Sequence, residues 1–273
     1  MDVNFPSYTK IFDKTKRRLI RLRKLAEKST GSLSPEDELL FQLVGNVNLR
    51  INSIFILLKN GTTDGVMPLI RTLFELQLAF SAYSLSENKQ DYLDFYAKKS
   101  LFENSNPIER LMLSDDEKVK SVFSEEEKQI VTEMKKFASK GIKESSSLRP
   151  FKVWYEHASG KTIAQLSSEY RKPVDYFAMY DEASNWVHPQ RLSQSINLET
   201  FESDFPDSHV NLIIGCLCEA IDMLSEETAF IAQHLKIVGS NILFRYGEEL
   251  VSFAKSIKDL AIIEDYEKAR SDI

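Results

Sequence analysis

Glycine, proline and cysteine are all scarce in this chain. Its 273 residues include 9 glycines, 8 prolines and 2 cysteines. An all-β protein is full of tight turns that draw on glycine and proline, so this scarcity argues against one. Alternation of apolar and polar residues, which marks a half-buried strand, is also weak along the chain. Apolar residues recur instead at every third or fourth position, and the sequence therefore predicts an all-α bundle of about eight to ten helices.

The two cysteines, Cys216 and Cys218, are separated by one residue. On a helix such side chains face different ways, so we expect no disulfide between them. Scarce cysteine is typical of a reducing compartment, and the N-terminus lacks the apolar stretch of a secretory signal. We therefore expect a cytoplasmic protein that does not enter a membrane. No cluster with metal-ligand spacing is visible, so we expect neither a metal nor another cofactor.

Charge is distributed unevenly along the chain. The formal net charge is −6, which argues against broad nonspecific binding to nucleic acid. The first predicted helix, 5–28, is nevertheless strongly basic, because its nine lysines and arginines face only two acidic residues. Such a surface is typical of a contact with RNA, DNA or an acidic partner. Alternatively, it is a solvated helix face balanced by the acidic region 115–127. The basic residues are Lys10, Lys14, Lys16, Arg17, Arg18, Arg21, Arg23, Lys24 and Lys28.

The chain is predicted to form one domain, 1–273, in three parts. Four helices, the basic one first, make up residues 5–105, and the turn sequence NGTTDG at 60–65 separates the second helix from the third. Residues 106–150 are the most polar and are predicted to form an insertion or lid with one or two exposed helices. Residues 151–273 supply C-terminal helices that should pack on the first part. The predicted helices are 5–28, 35–59, 66–86, 88–104, 115–121, 124–140, 161–171, 173–187, 208–236 and 240–268.

Arg71 and Glu75 are the only charged residues in the segment 66–86, VMPLIRTLFELQLAFSAYSLS. Apolar residues surround them on every helical face, and a helix of that kind is normally buried. Burial of a charge is costly unless the charge is paired or hydrogen-bonded. The pair therefore marks a polar centre within an apolar environment, and we interpret it as a candidate functional site.

A second motif, YDEASNWVHPQR at 180–191, offers partners for this pair. His188 precedes a proline, a position that disfavours the helical conformation, so the helix should end near His188. The helix dipole there favours the charged imidazole. Tyr180, Ser184 and His188 follow at intervals of four residues and should share one helical face, which we expect to meet the charged pair.

The segments RTLFE at 71–75 and YDEASNWVHP at 180–189 resemble a bacterial all-helical family in which an arginine–glutamate helix and a serine-to-histidine–proline segment recur together. The similarity covers roughly residues 35–235. It extends distantly to the HEPN (higher eukaryotes and prokaryotes nucleotide-binding) superfamily, many members of which are metal-independent ribonucleases of toxin–antitoxin and antiphage systems. The resemblance implies an intracellular bacterial defence or toxin-type effector that acts on RNA, forms a homo-oligomer and has a cognate protein partner or antitoxin.

The same resemblance implies catalytic roles. In HEPN ribonucleases an arginine and a histidine act together, a few residues apart on one helix. Here the nearest arginine before His188 is Arg171, too distant for that spacing, so Arg71 would supply the guanidinium from another helix. His188 would then transfer a proton, Arg71 would stabilise charge around the phosphorus, and Glu75 would orient Arg71. The residues that would bind the substrate are Tyr180, Ser184 and Arg191.

Two alternatives stay open from the sequence. In the first, Arg71, Glu75 and His188 form a buried polar network that fixes helix register, and the protein is a non-catalytic helical sensor or binding subunit of a defence complex. In the second, Arg71, Tyr180 and His188 line a pocket for a small ligand, in which the arginine binds an anion.

Overall fold

The computed structural model of the chain describes residues 4–63, 65–114, 116, 118, 121–144, 153–187, 199–200, 207–236 and 241–260. These described residues form ten helices and no strand, which confirms the predicted all-α fold. The helices are α1 (Thr9–Thr30), α2 (Pro35–Lys59), α3 (Val66–Ser84), α4 (Lys89–Met112), α5 (Glu125–Glu144), α6 (Trp154–Ser159), α7 (Ile163–Tyr170), α8 (Pro173–Tyr176, the π-helical segment Phe177–Glu182, and Ala183–Val187), α9 (Asp207–His234) and α10 (Asn241–Lys258).

Local signals account for the boundary between α1 and α2. Ser34 is the N-cap of α2, and its hydroxyl accepts a hydrogen bond from the amide of Asp37 at 3.1 Å. Pro35 follows as the first helical residue, where no amide hydrogen is needed. At the end of α1, Gly31 has a φ of 82°, a conformation that suits glycine, and its amide donates to the Glu27 carbonyl at 2.8 Å. The predicted start of α2 at residue 35 therefore agrees with its capping.

Three helices differ most from the prediction. α10 ends at Lys258, ten residues before the predicted end at 268. α4 continues to Met112, beyond the predicted end at 104, although Pro107 lies within it. α4 packs along α5 and α6, and these tertiary contacts offset the hydrogen bond that proline removes. α6 forms in the segment WYEHAS, where no helix is predicted. The side chain of Glu156 caps its start. The predicted helix at 115–121 lies largely outside the described residues.

The chain divides into two compact units. Unit 1 consists of Met1–Phe80 and Tyr170–Ile273, and unit 2 consists of Ser81–Glu169. The polar segment 106–150, predicted as an insertion, contributes the end of α4 and all of α5 to unit 2. Unit 2 therefore includes more of the chain than the predicted insertion. The organisation of the whole chain as one domain with a lid stays a prediction.

Unit 1 is built around α2, which packs against α1 and α9, while α9 also packs against α10. Tyr8, just before α1, stacks on Phe55 of α2 with 5.1 Å between ring centres. The Tyr8 hydroxyl donates to Asn48 Oδ1 at 3.0 Å, so this polar group is satisfied within the core. The apolar residues of α2 that are buried are Leu39, Leu40, Leu43, Val44, Val47, Ile51, Ile54, Phe55 and Leu58.

α2 is also the one helix in the described part of the chain that is long and apolar enough to cross a membrane. Half of its most apolar stretch is buried inside the protein, and core helices pass the same test of length and composition. The observation is therefore weak evidence for a membrane span, and the cytoplasmic location stays a prediction.

Unit 2 is held together by aromatic rings and a buried carboxylate. Trp154 of α6 contacts Tyr96 of α4 edge-on, with 5.2 Å between ring centres. Glu156 is buried and accepts hydrogen bonds from the amides of Val153 at 3.2 Å and Ile163 at 2.8 Å. These amides stand at the starts of α6 and α7, so one side chain caps both helices.

Candidate functional site

Arg71 and Glu75 lie on a half-exposed face of α3. Their side chains are 25% and 28% exposed, whereas Val66, Ile70 and Leu73 on the opposite side of the helix are 0% exposed. The expectation that apolar packing encloses the pair on every side is therefore wrong. The apolar composition of a helix does not show which face its neighbours leave uncovered, and in α3 that face includes the pair.

The guanidinium of Arg71 is oriented by two protein groups. Arg71 Nε lies 3.2 Å from Glu75 Oε1, the i to i+4 geometry of an ion pair on a helix surface. The guanidinium carbon also stands 5.0 Å from the centre of the Tyr180 ring in α8, a cation–π contact. The structure thus brings together three of the residues that the sequence singled out. A quarter of the Arg71 side chain stays exposed, where an anion can reach it.

Two tyrosines of α8 form a stacked pair beside Arg71. The rings of Tyr176 and Tyr180 are 5.2 Å apart and inclined by 27°, and Phe74 packs against both of them. Burial, together with the nearby Asp181 carboxylate, raises the pKa of Tyr176, so its hydroxyl stays neutral at physiological pH. Both tyrosines are only half-buried, so part of each side chain is open to solvent. We refer to Arg71, Glu75, Tyr176 and Tyr180 together as the Arg71 cluster.

Tyr176 immediately precedes a π-helical segment, Phe177–Glu182, and Tyr180 lies within that segment. Such segments are rare and occur frequently at functional sites. Ser184 follows the segment, and its hydroxyl donates to the carbonyl of Tyr180. Tyr180 therefore provides the predicted contact between α8 and Arg71. The Ser184 hydroxyl is instead hydrogen-bonded to the backbone of its own helix.

Hydrogen bonds of Arg171 and Gln77 connect α3 to the start of α8 and to α9 within unit 1. Arg171 Nη2 donates to the Gln77 carbonyl at 2.7 Å, and Gln77 Nε2 donates to the Ala220 carbonyl of α9 at 3.0 Å. Sequence reasoning misses these contacts because they join residues that are far apart in the chain. It also misses Tyr176, although the spacing of four residues between Tyr176 and Tyr180 is a signal that was available.

His188 and Arg191, predicted as a catalytic and a substrate-binding residue, lie outside the described residues. The structure describes α8 as far as Val187, the residue before His188. The described part of the site is therefore the Arg71 cluster with Ser184 beside it.

The histidines described in unit 1 have acidic neighbours from other helices. His209 Nε2 lies 3.4 Å from Glu182 Oε1, and His234 Nε2 lies 2.9 Å from Asp37 Oδ1. These contacts connect α9 with α8 and with α2, which is a packing role. Within the described ranges, no group of three or more histidine, cysteine, aspartate or glutamate side chains is placed to hold a metal ion.

The fold and the site define an all-helical protein with an oriented, partly exposed arginine beside two stacked tyrosines. Residues 37–204 match the family of unknown function DUF5677. Because the match spans more than half of the 273 residues, the chain belongs to this family. The matched segment contains the whole Arg71 cluster as well as His188 and Arg191. No curated protein and no solved structure matches the chain.

Proposed function

We propose that this protein acts on RNA inside the cell as a metal-independent, HEPN-like ribonuclease that serves as a bacterial defence effector or toxin. The observation that carries the proposal is the Arg71 guanidinium, which is held by Glu75, lies over Tyr180 and is partly exposed. Single-stranded RNA offers a phosphate for the guanidinium and an unstacked base for the tyrosine rings within one nucleotide. RNA therefore fits both chemical features of the Arg71 cluster.

In the proposed reaction the ribose 2′-oxygen attacks the adjacent phosphorus. A new bond joins the 2′-oxygen to phosphorus, and the bond from phosphorus to the 5′-oxygen of the next nucleotide breaks. The products are a 2′,3′-cyclic phosphate and a 5′-hydroxyl end. Arg71 stabilises the negative charge on the phosphoryl oxygens. His188 donates the proton that the leaving 5′-oxygen takes up, while the proton of the 2′-hydroxyl passes to water.

The exposure of the charged pair argues against a purely structural role. A buried ion pair fixes a packing arrangement because leaving either charge unpaired is costly, but Arg71 and Glu75 are not buried. A partly exposed pair contributes at most about 1 kcal/mol to folding.

The second candidate function is a non-catalytic binding subunit of a defence complex. It is favoured by the Ser184 hydroxyl, whose proton is engaged by the Tyr180 carbonyl instead of serving a substrate.

Growth and RNA integrity after expression of the protein test the proposal. Arg71→Lys keeps the positive charge but removes the planar fork that binds a phosphate through two hydrogen bonds. His188→Gln removes the titratable ring. Arg110→Lys changes an exposed arginine of α4 in the same way and is the matched control. We expect wild type and Arg110→Lys to arrest growth and to produce RNA fragments with cyclic phosphate ends, and the two site variants to do neither at unchanged thermal stability.

Other outcomes point elsewhere. Loss of activity together with loss of thermal stability in both site variants would assign a structural role to the pair. RNA binding by the wild type without any cleavage would favour the binding subunit. A wild type that neither arrests growth nor binds or cleaves RNA would refute the proposal. The resemblance to HEPN proteins also predicts a homo-oligomer, and a strict monomer in sedimentation would count against a HEPN-like site.

A further inference from the structure

The positive charge of the chain is concentrated in α1. This helix holds nine of the 35 basic residues and two of the 41 acidic residues, so it carries +7. The rest of the chain therefore carries −13, because the whole has a net charge of −6. A basic helix on an acidic protein is a local feature that the overall charge conceals, and it directs an anionic partner to one place.

Six of these cations form a straight line along the helix. They follow at intervals of three or four residues, so they fall within an arc of about 80° and extend over about 27 Å. All six are exposed. The opposite face of α1 is buried and includes Ile11, Leu19 and Leu22. We call these cations the basic stripe, which consists of Lys10, Lys14, Arg17, Arg21, Lys24 and Lys28.

Most of the basic stripe is not neutralised by any of the described residues. Lys14 forms an ion pair with Glu249 of α10. The other five cations have no ion-pair partner within the described part of the chain. Five like charges held side by side repel one another, and α1 keeps them there because its apolar face is anchored in unit 1. A partner with a matching row of negative charges would relieve that repulsion.

The surroundings of the stripe favour a phosphodiester chain as this partner. Protein interfaces depend on buried aromatic or other apolar anchors, and the exposed apolar residues of α1, Ile20 and Leu25, lie about 140° apart on the helix and form no patch. An interfacial membrane helix inserts its apolar face into the lipid, but that face of α1 is buried in the protein. A nucleic-acid backbone needs only repeated positive charge.

We propose that the basic stripe of α1 binds the phosphate backbone of an RNA strand through contacts that are separate from those of the Arg71 cluster. The stripe recognises no base sequence, since it offers charges and no ring for stacking. The choice of RNA among nucleic acids rests on the proposed function. The stripe would raise the affinity for any RNA, and the Arg71 cluster would act on the strand.

A charge-removal experiment with a matched control tests this site. The stripe variant carries Arg17→Gln, Arg21→Gln and Lys24→Gln. The control carries Lys16→Gln, Lys59→Gln and Lys255→Gln, which remove the same net charge from exposed positions off the stripe. The probe is a fluorescent 2′-O-methyl RNA of about 20 nucleotides. It has no free 2′-hydroxyl, so binding is measured by anisotropy without cleavage.

Counterion release sets the expected size of the effect. Each phosphate neutralised on a single strand contributes about 0.7 to the slope of log affinity against log salt, so three lost contacts lower the slope by about 2. Between about 50 and 200 mM salt the stripe variant should therefore lose about 20-fold less affinity than the wild type. At the lower salt concentration we expect the stripe variant to bind at least about 10-fold more weakly, while the control matches the wild type.

Three results would overturn the inference. One is an unchanged affinity and salt slope in the stripe variant. Another is an equal loss in both variants, which would reflect net charge alone. The third is a stripe variant that keeps its RNA affinity but no longer binds phosphatidylserine vesicles, which would assign the stripe to a membrane surface. RNA cleavage by the wild type that Arg71→Lys abolishes is scored separately, so either proposal can fail while the other stands.

Discussion

Glu227 in α9 places a carboxyl group where water cannot reach it. The side chain is 4% exposed, and neither carboxylate oxygen has a hydrogen-bond partner among the described residues. Burial raises the pKa of Glu227 well above its usual 4.5, and this effect outweighs the nearby Arg171, which acts to lower the pKa. The Arg171 guanidinium donates instead to the Gln77 carbonyl at 2.7 Å. We therefore expect Glu227 to be protonated in the folded protein at pH values where it is ionised in the unfolded chain.

This difference makes the free energy of unfolding depend on pH. Below about pH 4.5 both states are protonated at Glu227, and its contribution to stability is fully present. As the pH rises from there to the folded-state pKa, the unfolded chain releases a proton that the folded protein keeps, and the stability falls by about 1.4 kcal/mol per pH unit. Glu227→Gln is nearly isosteric and cannot ionise. Its stability advantage over the wild type should therefore grow with pH between about pH 4.5 and the folded-state pKa of Glu227.

Urea unfolding of wild type and Glu227→Gln from pH 5 to pH 8 measures this effect. Glu248→Gln is the matched control, because Glu248 is an exposed glutamate of α10 and is not among the groups that shift the pKa of Glu227. The control should follow the wild type at every pH. A Glu227→Gln protein that is less stable than the wild type at pH 7 would refute the reasoning, since it would mean that the carboxylate is ionised and stabilised by Arg171. Identical pH slopes in wild type and variant would refute it equally.

Three further predictions concern Arg71, Ser34 and the two cysteines. Arg71→Gln should lower the free energy of unfolding by about 1–2 kcal/mol, because it removes a partly exposed ion pair and the cation–π contact with Tyr180. A loss of more than about 4 kcal/mol in urea unfolding would contradict the described exposure. Ser34→Ala should lower it by about 1 kcal/mol, because the hydroxyl that caps α2 is lost, and an unchanged Tm would show that the cap is dispensable. Burial raises the pKa of Cys216 to about 12 and that of Cys218 to about 11. Both thiols should therefore react slowly with a thiol reagent at pH 8 until denaturant is added, and rapid labelling of the native protein would contradict this.

The helices were predictable where their causes are local. The cap at Ser34, the proline after it and the apolar spacing of α2 lie within one segment, and the predicted extent 35–59 agrees with the structure. α6 was not predictable in this way, because its start depends on Glu156, which caps α7 as well. The continuation of α4 through Pro107 likewise depends on packing against α5 and α6.

The candidate site shows the same division. Arg71 and Glu75 stand out in the sequence because they interrupt an apolar run. The four-residue spacing from Tyr180 to Ser184 predicts that these two residues share a helical face. The sequence does not show that Tyr176 stacks on Tyr180 below Arg71, nor that the Ser184 hydroxyl is turned to the backbone. These details depend on the π-helical segment, which no periodicity in the sequence signals.

The all-α class, most helix boundaries, the concentration of positive charge in α1 and the polar centre at Arg71 and Glu75 can all be predicted from the amino-acid sequence. These properties follow from residue type and short-range spacing. Packing between helices leaves this pair partly exposed and brings the tyrosine pair of α8 beside it. It also buries the apolar side of α1, while the basic stripe faces solvent. Exposure depends on which helices pack together, and those helices come from distant parts of the chain.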